Sequence, residues 1–302
     1  MRFFENPNID FMGMRRKAYI LSGLLIIISL ASIFFKGINW GVDFSGGTLL
    51  QVHVEGTDIG TVRKVVLDMG LKSATVQNFG EPNEFLIRYK ENVDAGEVVK
   101  TLKEKLGKEV RLDRTEKVGP TIGRELKEQS IIIVVVALLL MLLYIWIRFD
   151  LYFGLGAVLA LFHDSIITLG MYSLAGLEFT TTTVAALLTI IGYSINDTIV
   201  VSDRVREYLA SFEGMKLLPE KLYEIFNKAI NSTLSRTIIT SLTTLIVVIA
   251  LMVFGGPVLF GFAFTLFVGI IVGTYSSIFV VSALVYELKT RQARQARGGA
   301  KK

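Results

Sequence analysis

Asp197 and Arg236 are ionisable side chains set in apolar runs long enough to cross a bilayer. Asp197 follows Leu187-Leu188-Thr189-Ile190-Ile191-Gly192-Tyr193-Ser194-Ile195-Asn196, and Arg236 lies in Leu234-Ser235-Arg236-Thr237-Ile238-Ile239. A charge near the bilayer centre costs about 2.5–3.5 kcal/mol on insertion scales. One acid and one base on consecutive spans therefore point to a pair, or to movement of a proton or ion between them. Burial disfavours a charged carboxyl and a nearby guanidinium favours it, so arrival of a proton at Asp197 would discharge it and release Arg236. Counted from the span ends, Asp197 lies roughly 9 Å from the boundary at which the Arg236 span starts. Thr189 and Tyr193 share its face, and Thr240, Thr243 and Thr244 continue the Arg236 face as hydroxyls for a file of water. The alternative is a purely structural pair, or Arg236 snorkelling to the interface.

His163 and Asp164 lie near mid-depth in another apolar run. They read either as a satisfied interhelical hydrogen bond or as a relay with His163 accepting a proton near neutral pH. Asp164 and Asp197 also raise an intramembrane aspartyl protease, against which the Gly-x-Gly-Asp pattern is missing and the two depths differ by roughly one and a half turns. No Gly-x-Ser-x-Gly nucleophile, Walker motif, dinucleotide fingerprint or metal-ligand cluster is present. The reading is therefore not an enzyme, with no cofactor, no metal and no local ATP hydrolysis.

The elements that position these groups are membrane spans. The chain is 52% hydrophobic, with a mean hydropathy of +0.54, too apolar for one ordinary soluble domain. It contains no cysteine, which excludes disulfides and thiolate chemistry. Six apolar segments are long enough to span: 18–36, 129–148, 152–174, 182–202, 234–254 and 258–286. The first is read as a retained helix and not a signal peptide, because no small-x-small site follows it. Arg2, Arg15, Arg16 and Lys17 precede it, and Lys289, Arg291, Arg294, Arg297, Lys301 and Lys302 follow the last span. The positive-inside rule then places both termini and the basic loop 203–233 in the cytoplasm. The links Ala175–Thr180 and Gly255–Pro257 carry no Lys or Arg and fall outside. The net charge of +5 sits at the chain ends and forms no nucleic-acid face.

The chain divides into 1–36 (N-terminus and first helix), 37–128 (an extracytoplasmic domain), 129–288 (five further helices) and 289–302 (a basic cytoplasmic tail). In the domain, Thr48–Val54 alternates as a strand with Leu50, Val52 and Val54 on one face, and Ile59–Met69 has helical spacing. Ala74–Asn78 and Glu84–Tyr89 read as strands around the turn Gly80-Glu81-Pro82-Asn83, Asp94 caps a helix Ala95–Leu106, and Val110–Arg114 is a last strand. That order, β-α-β-β-α-β, predicts a ferredoxin-like fold. The expected architecture is thus an α-helical polytopic membrane protein with six transmembrane helices and one small α+β domain between helices one and two. Thr265, Gly269, Gly273 and Ser277 form a small-residue ridge on the last span for close helix packing, within the chain or against a partner. Lys216–Ile230 looks amphipathic and is expected on the membrane surface.

The segment Trp40-Gly41-Val42-Asp43-Phe44-Ser45-Gly46-Gly47-Thr48 joins the first span to the domain. Gly46-Gly47 permits a tight turn and Asp43 can bond nearby amides, which makes this a structural elbow. The stretch also resembles the signature of the SecF family, the smaller membrane partner in the SecD–SecF accessory of the protein-export channel. So do Ile191-Gly192-Tyr193-Ser194-Ile195-Asn196-Asp197-Thr198-Ile199-Val200-Val201-Ser202-Asp203-Arg204, Ala160-Leu161-Phe162-His163-Asp164 and Ser235-Arg236-Thr237. Phe254-Gly255-Gly256-Pro257-Val258-Leu259 and Gly273-Thr274-Tyr275-Ser276-Ser277-Ile278 continue the likeness, which runs in order from about 39 to 286.

The resemblance implies a six-span subunit of the resistance-nodulation-division type in the inner membrane, coupling the proton-motive force to protein export. It implies a SecD-like subunit, the SecYEG channel, a translocating polypeptide and membrane lipid as partners. Asp197, in the Asn196-Asp197 motif, and Arg236 would be the residues tied to proton use, and the external domain would shift as Asp197 changes protonation. The rival readings are half of a small-molecule or ion antiporter, marked by a polar ligand-sized cavity, and a passive scaffold of the channel.

Overall fold

The computed structural model describes residues 7–80, 83–212, 215 and 217–299, except for the side chains at 257 and 296–299. Helix α1 (Phe11–Lys36) leads through β1 (Asn39–Trp40) and a short α2 (Val42–Ser45) into β2 (Gly47–His53), α3 (Ile59–Asp68), β3 (Thr75–Asn78), β4 (Glu84–Tyr89), α4 (Ala95–Leu106) and β5 (Arg111–Val118). There follow α5 (Pro120–Arg148), α6 (Leu151–Ala175), β6 (Glu178–Phe179), α7 (Thr181–Ala210), α8 (Pro219–Phe254) and α9 (Gly256–Tyr275). A π-helical turn, Ser276–Val281, continues α9 into α10 (Ser282–Gly299). Six helical rods among the described residues are long and apolar enough to cross a membrane.

The helix starts follow from local chemistry. Asp10, Asp58, Asp94 and Asp150 each accept a hydrogen bond from a first-turn amide, of Gly13, Thr61, Gly96 and Phe153. Pro120 and Pro219 open α5 and α8, where a missing N–H costs nothing. Four of the five strands between α1 and α5 form one antiparallel sheet in the order β3-β4-β2-β5. Leu50, Val52, Val76, Phe85 and Ile87 bury one face against Val62 and Val66 of α3 and Val98 and Leu102 of α4. Two residues of the expected turn, 81 and 82, lie outside the described residues.

Several boundaries differ from expectation. Strand β5 runs to Val118, because β2 pairs with it as far as Gly47, and α5 starts at Pro120, well before 129. The loop expected over 203–233 is largely helix: α7 continues to Ala210 and α8 starts at Pro219. The amphipathic stretch expected on the membrane surface, from 216 (itself outside the described residues) to Ile230, is therefore the opening of a 36-residue rod. Its apolar face, Leu222, Ile225, Phe226, Ala229 and Ile230, is buried by protein; Leu222, Phe226, Ala229 and Ile230 join a core cluster with Phe11, Met12 and Tyr286. Nothing in the run 219–254 breaks a helix, so it does not stop at the lipid boundary. The expected basic tail is likewise helical to Gly299.

The bundle has two distinct ends. At one, Asn227 and Asn231 of α8 hold the entry of α1 through Met12 and Ile9, Arg148 pairs with Asp203, Lys289 with Asp150 and Arg15 with Glu287. At the other lie the sheet domain and the α6–α7 link. Near the second end, α1 and α6 meet closely: a Cβ on Gly170 would lie 2.1 Å from Ser29 Cβ, and Ser32 donates to Ser173 at 3.1 Å.

Gly170→Ala is expected to cost about 1–3 kcal/mol by overpacking this contact, whereas Gly154→Ala, whose Cβ meets only ordinary contact at 3.6 Å, should be near neutral. Thermal unfolding of the two variants in detergent decides between this and a loosely packed pair, in which they would behave alike. At the opposite end the Tyr223 hydroxyl, then the Gly13 amide and Asn227, donate to Asp10 and hold its carboxyl below the usual aspartate range. A depressed folded value makes this support complete above the ordinary value and lost as pH falls through the depressed one. The unfolding midpoints of the native protein and Asp10→Asn should therefore differ most near neutral pH and converge on acidification; a constant gap would refute the bonded carboxyl.

Candidate functional site

Helix α7 carries the site. Its face toward α6 and α9 is lined by Ile190, Ser194, Asp197 and Val201, all buried, at the i, i+4, i+7, i+11 spacing of one helical stripe. Gly269 and Gly273 of α9 lie against this stripe: an added Cβ would sit 2.2 Å from Ile190 at the first and 3.0 Å from Ser194 at the second. The small residues thus let α9 approach α7, and Thr265 and Ser277 on the same ridge are also buried.

The two acids have different surroundings. Asp164 is 1% exposed and fully engaged. Ser194 of α7 donates to its Oδ2 at 2.5 Å, Ser276 of the π-turn donates to the same oxygen at 2.8 Å, and His163 Nδ1 is 2.8 Å from Oδ1. His163 Nε2 in turn meets the Ser22 hydroxyl of α1 at 3.0 Å. Ser22 continues to Tyr275 of α9, whose hydroxyl donates to the Ala18 carbonyl. Asp197, 2% exposed, sits one turn beyond Ser194. Its Oδ2 has no hydrogen-bond partner among the described residues, and the groups acting on the carboxyl are Ser241 and the charge of Arg236. Ser241 makes its own 2.7 Å bond with Thr274. Tyr193 OH and Thr237 Oγ1 are also buried without a partner among the described residues.

Arg236 does not join Asp197 directly. It is exposed on the flank of α8, and among the described residues it makes no ion pair. Asn196 is exposed as well, pointing away from the buried stripe. Thr240, Thr243 and Thr244 donate to carbonyls of their own helix at 2.9–3.0 Å, and Thr189 to Ala185. Each of these hydroxyls spends its proton within its own helix. Among the described residues no three His, Asp or Glu side chains converge as a metal site.

The start of α7 is held by the sheet domain. Asp43 Oδ2 accepts from the Thr181 amide at 2.9 Å and the Thr181 hydroxyl at 2.8 Å. Strand β1 pairs in parallel with β6 of the α6–α7 link. Arg88 of β4 forms an ion pair with Glu178 of that link, both side chains mostly buried, and reaches Asn39 and the Trp40 carbonyl. Burial holds the Arg88 guanidinium below the usual arginine range. Lys127 of α5 stacks over Trp40 at 4.3 Å. Gly46 and Gly47 have φ of +68° and +119°; a Cβ on the first would meet Pro120 Cα at 2.9 Å and on the second Tyr89 O at 2.5 Å. The elbow is therefore a packed knot in which only glycine fits.

Sequence reasoning missed Ser22, Ser194, Tyr275, Ser276, Arg88 and Glu178. Ser194 and the run 273–278 stood in motifs already noted, where their hydroxyls in apolar spans were the available signal. Arg88 and Glu178 carry none, since their partnership exists only in the tertiary fold.

Residues 98–291 match the model described as protein export membrane protein SecD/SecF, C-terminal, and 31–58 the SecD/SecF GG motif. The chain is 48% identical to the protein translocase subunit SecF of Calditerrivibrio nitroreducens, over 96% of this chain and 97% of that one. It is 44% identical to the protein translocase subunit SecDF of Thermus thermophilus, over 96% of this chain and 40% of that one. The crystal structure of SecDF, a translocon-associated membrane protein from Thermus thermophilus, superposes with a TM-score of 0.85 at 42% identity, covering 95% of this chain and 39% of that chain. SecDF in its super-membrane-facing form gives 0.72 at 41% identity, covering 99% and 41%.

Removing one partner of the Arg88–Glu178 pair leaves a largely buried charge. Glu178→Gln should cost about 1–3 kcal/mol, less than for a fully buried pair because both ends keep some solvent. A double-mutant cycle with Arg88→Gln measures the coupling, and additive losses would show that the two side chains do not depend on each other.

Proposed function

The chain belongs to the SecD/SecF family of protein-export membrane proteins, and from that premise we propose that it is a SecF-type subunit that uses the proton-motive force in export. In this reading it works in the inner membrane with a SecD-like subunit, beside the SecYEG channel and the translocating polypeptide. The 40% coverage of the Thermus SecDF chain supports a partner half. Arg15, Arg16, Arg148, Arg204, Arg206 and Lys289 gather at the end of the bundle that holds the start of α1 and helix α10, which supports cytoplasmic termini. The sheet domain then lies outside the cytoplasm, and its strand order, with both helices against one face, supports a ferredoxin-like reading.

The carrying observation is the Asp197 carboxyl, buried in a span with one oxygen unanswered among the described residues. A charge in such a place has to be neutralised by a proton or met by a cation. Arg236 supplies the cation within electrostatic reach, on a flank of α8 open to a partner subunit. The unpartnered Tyr193 and Thr237 hydroxyls offer polar anchors along the same interface. One proton crossing supplies about 2.3 kcal/mol per 100 mV, enough to tilt a two-state element by a factor of tens. A passive scaffold has no use for an unanswered acid, which favours coupling over that rival.

The test is proton-driven export by reconstituted complexes with a SecD-like partner. Asp197→Asn is expected to lose it by about tenfold or more while assembly persists, and Arg236→Lys, which keeps the charge, to retain part of it. Unchanged export in an assembled Asp197→Asn complex would establish the scaffold instead.

A further inference from the structure

The hydroxyl chain around His163 fixes where its protons lie. The Ala18 carbonyl can only accept, so the Tyr275 hydroxyl must spend its one proton there, at 2.7 Å. Ser22, 3.0 Å from that hydroxyl, must then donate to it. Its own proton being committed, Ser22 can only accept from His163 Nε2, which lies 3.0 Å away. His163 therefore carries a proton on Nε2. A neutral imidazole with its proton on Nε2 has a bare Nδ1, and Nδ1 is 2.8 Å from Asp164 Oδ1. An ionised carboxylate against a bare nitrogen would place two acceptors in contact, so a further proton has to lie between them.

We infer that His163 and Asp164 are a net-neutral dyad that binds one proton between Nδ1 and Oδ1, a second proton-binding site in the spans beside Asp197. The proton sits either on Nδ1, giving imidazolium and carboxylate, or on Oδ1, giving neutral imidazole and carboxylic acid. One transfer across a single hydrogen bond interconverts the two, and neither carries net charge. The remaining oxygen, Oδ2, is satisfied in both forms by Ser194 and Ser276. Both groups are almost wholly buried, where a separated charge is costly and a neutral pair is not.

The site is wired to the rest of the bundle. Ser22 is on α1, Ser194 on α7 one turn from Asp197, Tyr275 on α9 and Ser276 in the π-turn, where the widened helix brings successive side chains inward. Asp197 is the other titratable group on the α7 stripe, and Tyr275 the one that faces His163 from α9. Removal of the dyad's proton would leave Asp164 charged beside two serines and would require the α1–α9 hydroxyls to reverse direction. Its exchange is therefore tied to the reorientation of hydroxyls on two other helices, α1 and α9. Any use of the proton in export rests on the function proposed above; its presence does not.

The chain has two histidines, His53 and His163, so nitrogen NMR of imidazole-labelled full-length protein in lipid nanodiscs reads each ring, with His53→Gln giving the assignment. The expected result is a protonated, hydrogen-bonded Nε2 on His163 at neutral pH, together with a Nδ1 that shares a proton with Asp164. Asp164→Asn, whose amide can donate to Nδ1 while its carbonyl accepts from the serines, should keep Nε2 protonated and leave Nδ1 a plain acceptor. A bare Nε2 in the unsubstituted protein, with the ring's only proton on Nδ1, overturns the inference. That outcome is independent of the export assay on Asp197→Asn, so either reading can fail alone.

Discussion

Hydrocarbon supplies no hydrogen bonds, so each polar atom in the spans must be answered by the protein or remain a liability. That constraint sorts the intramembrane groups of this chain. Asp164 is answered by three partners from three elements, and its neighbours are answered in turn through Ser22, Tyr275 and the Ala18 carbonyl. Asp197, one helical turn from the serine that serves Asp164, has an oxygen left unanswered among the described residues. The same helix face therefore holds a closed polar network and an open one. Closed networks fix a structure, whereas open ones mark places where something has to arrive.

Helix α7 gathers these features along one axis. Its first residue is bonded by Asp43, Ser194 serves the dyad, Asp197 is the open acid, and Asp203 pairs with Arg148 at the far end. From Thr181 to Asp197 is roughly 24 Å of regular helix.

Much of this was readable in the residues, and the reasons differ between elements. The spans announced themselves by apolar length, and helix Ala95–Leu106 and strand Glu84–Tyr89 by period and cap, because those signals are local. Asp197, Arg236, His163 and Asp164 stood out because an ionisable group in an apolar run is costly. Two kinds of feature were hidden. The 216–230 stretch read as a surface helix because amphipathicity says that one face is buried without saying against what; the surface that buries its described part, Phe11, Met12 and Tyr286, comes from both ends of the chain. The side chains that complete the site, Ser22, Ser194 and Ser276, are small hydroxyls of a kind common in packed spans. Only the fold shows that three of them converge on one His–Asp pair.

The packed knot at Gly46-Gly47 changes how domain movement has to be understood. Two adjacent glycines suggest a hinge, and a hinge would let the sheet domain swing while the membrane part stayed still. Both positions instead have backbone within 3 Å of where a Cβ would lie, so their freedom is spent on close approach. Asp43, the β1–β6 pair and the Arg88–Glu178 ion pair then tie the domain to the α6–α7 link at separate points. A swing about the glycines would break all three at once, each at a cost, with no compensating contact. The economical displacement is one in which the domain travels with the start of α7. In the function proposed above, proton binding at Asp197 would reach the domain through the tilt or translation of that helix, and the glycines serve to keep the joint tight.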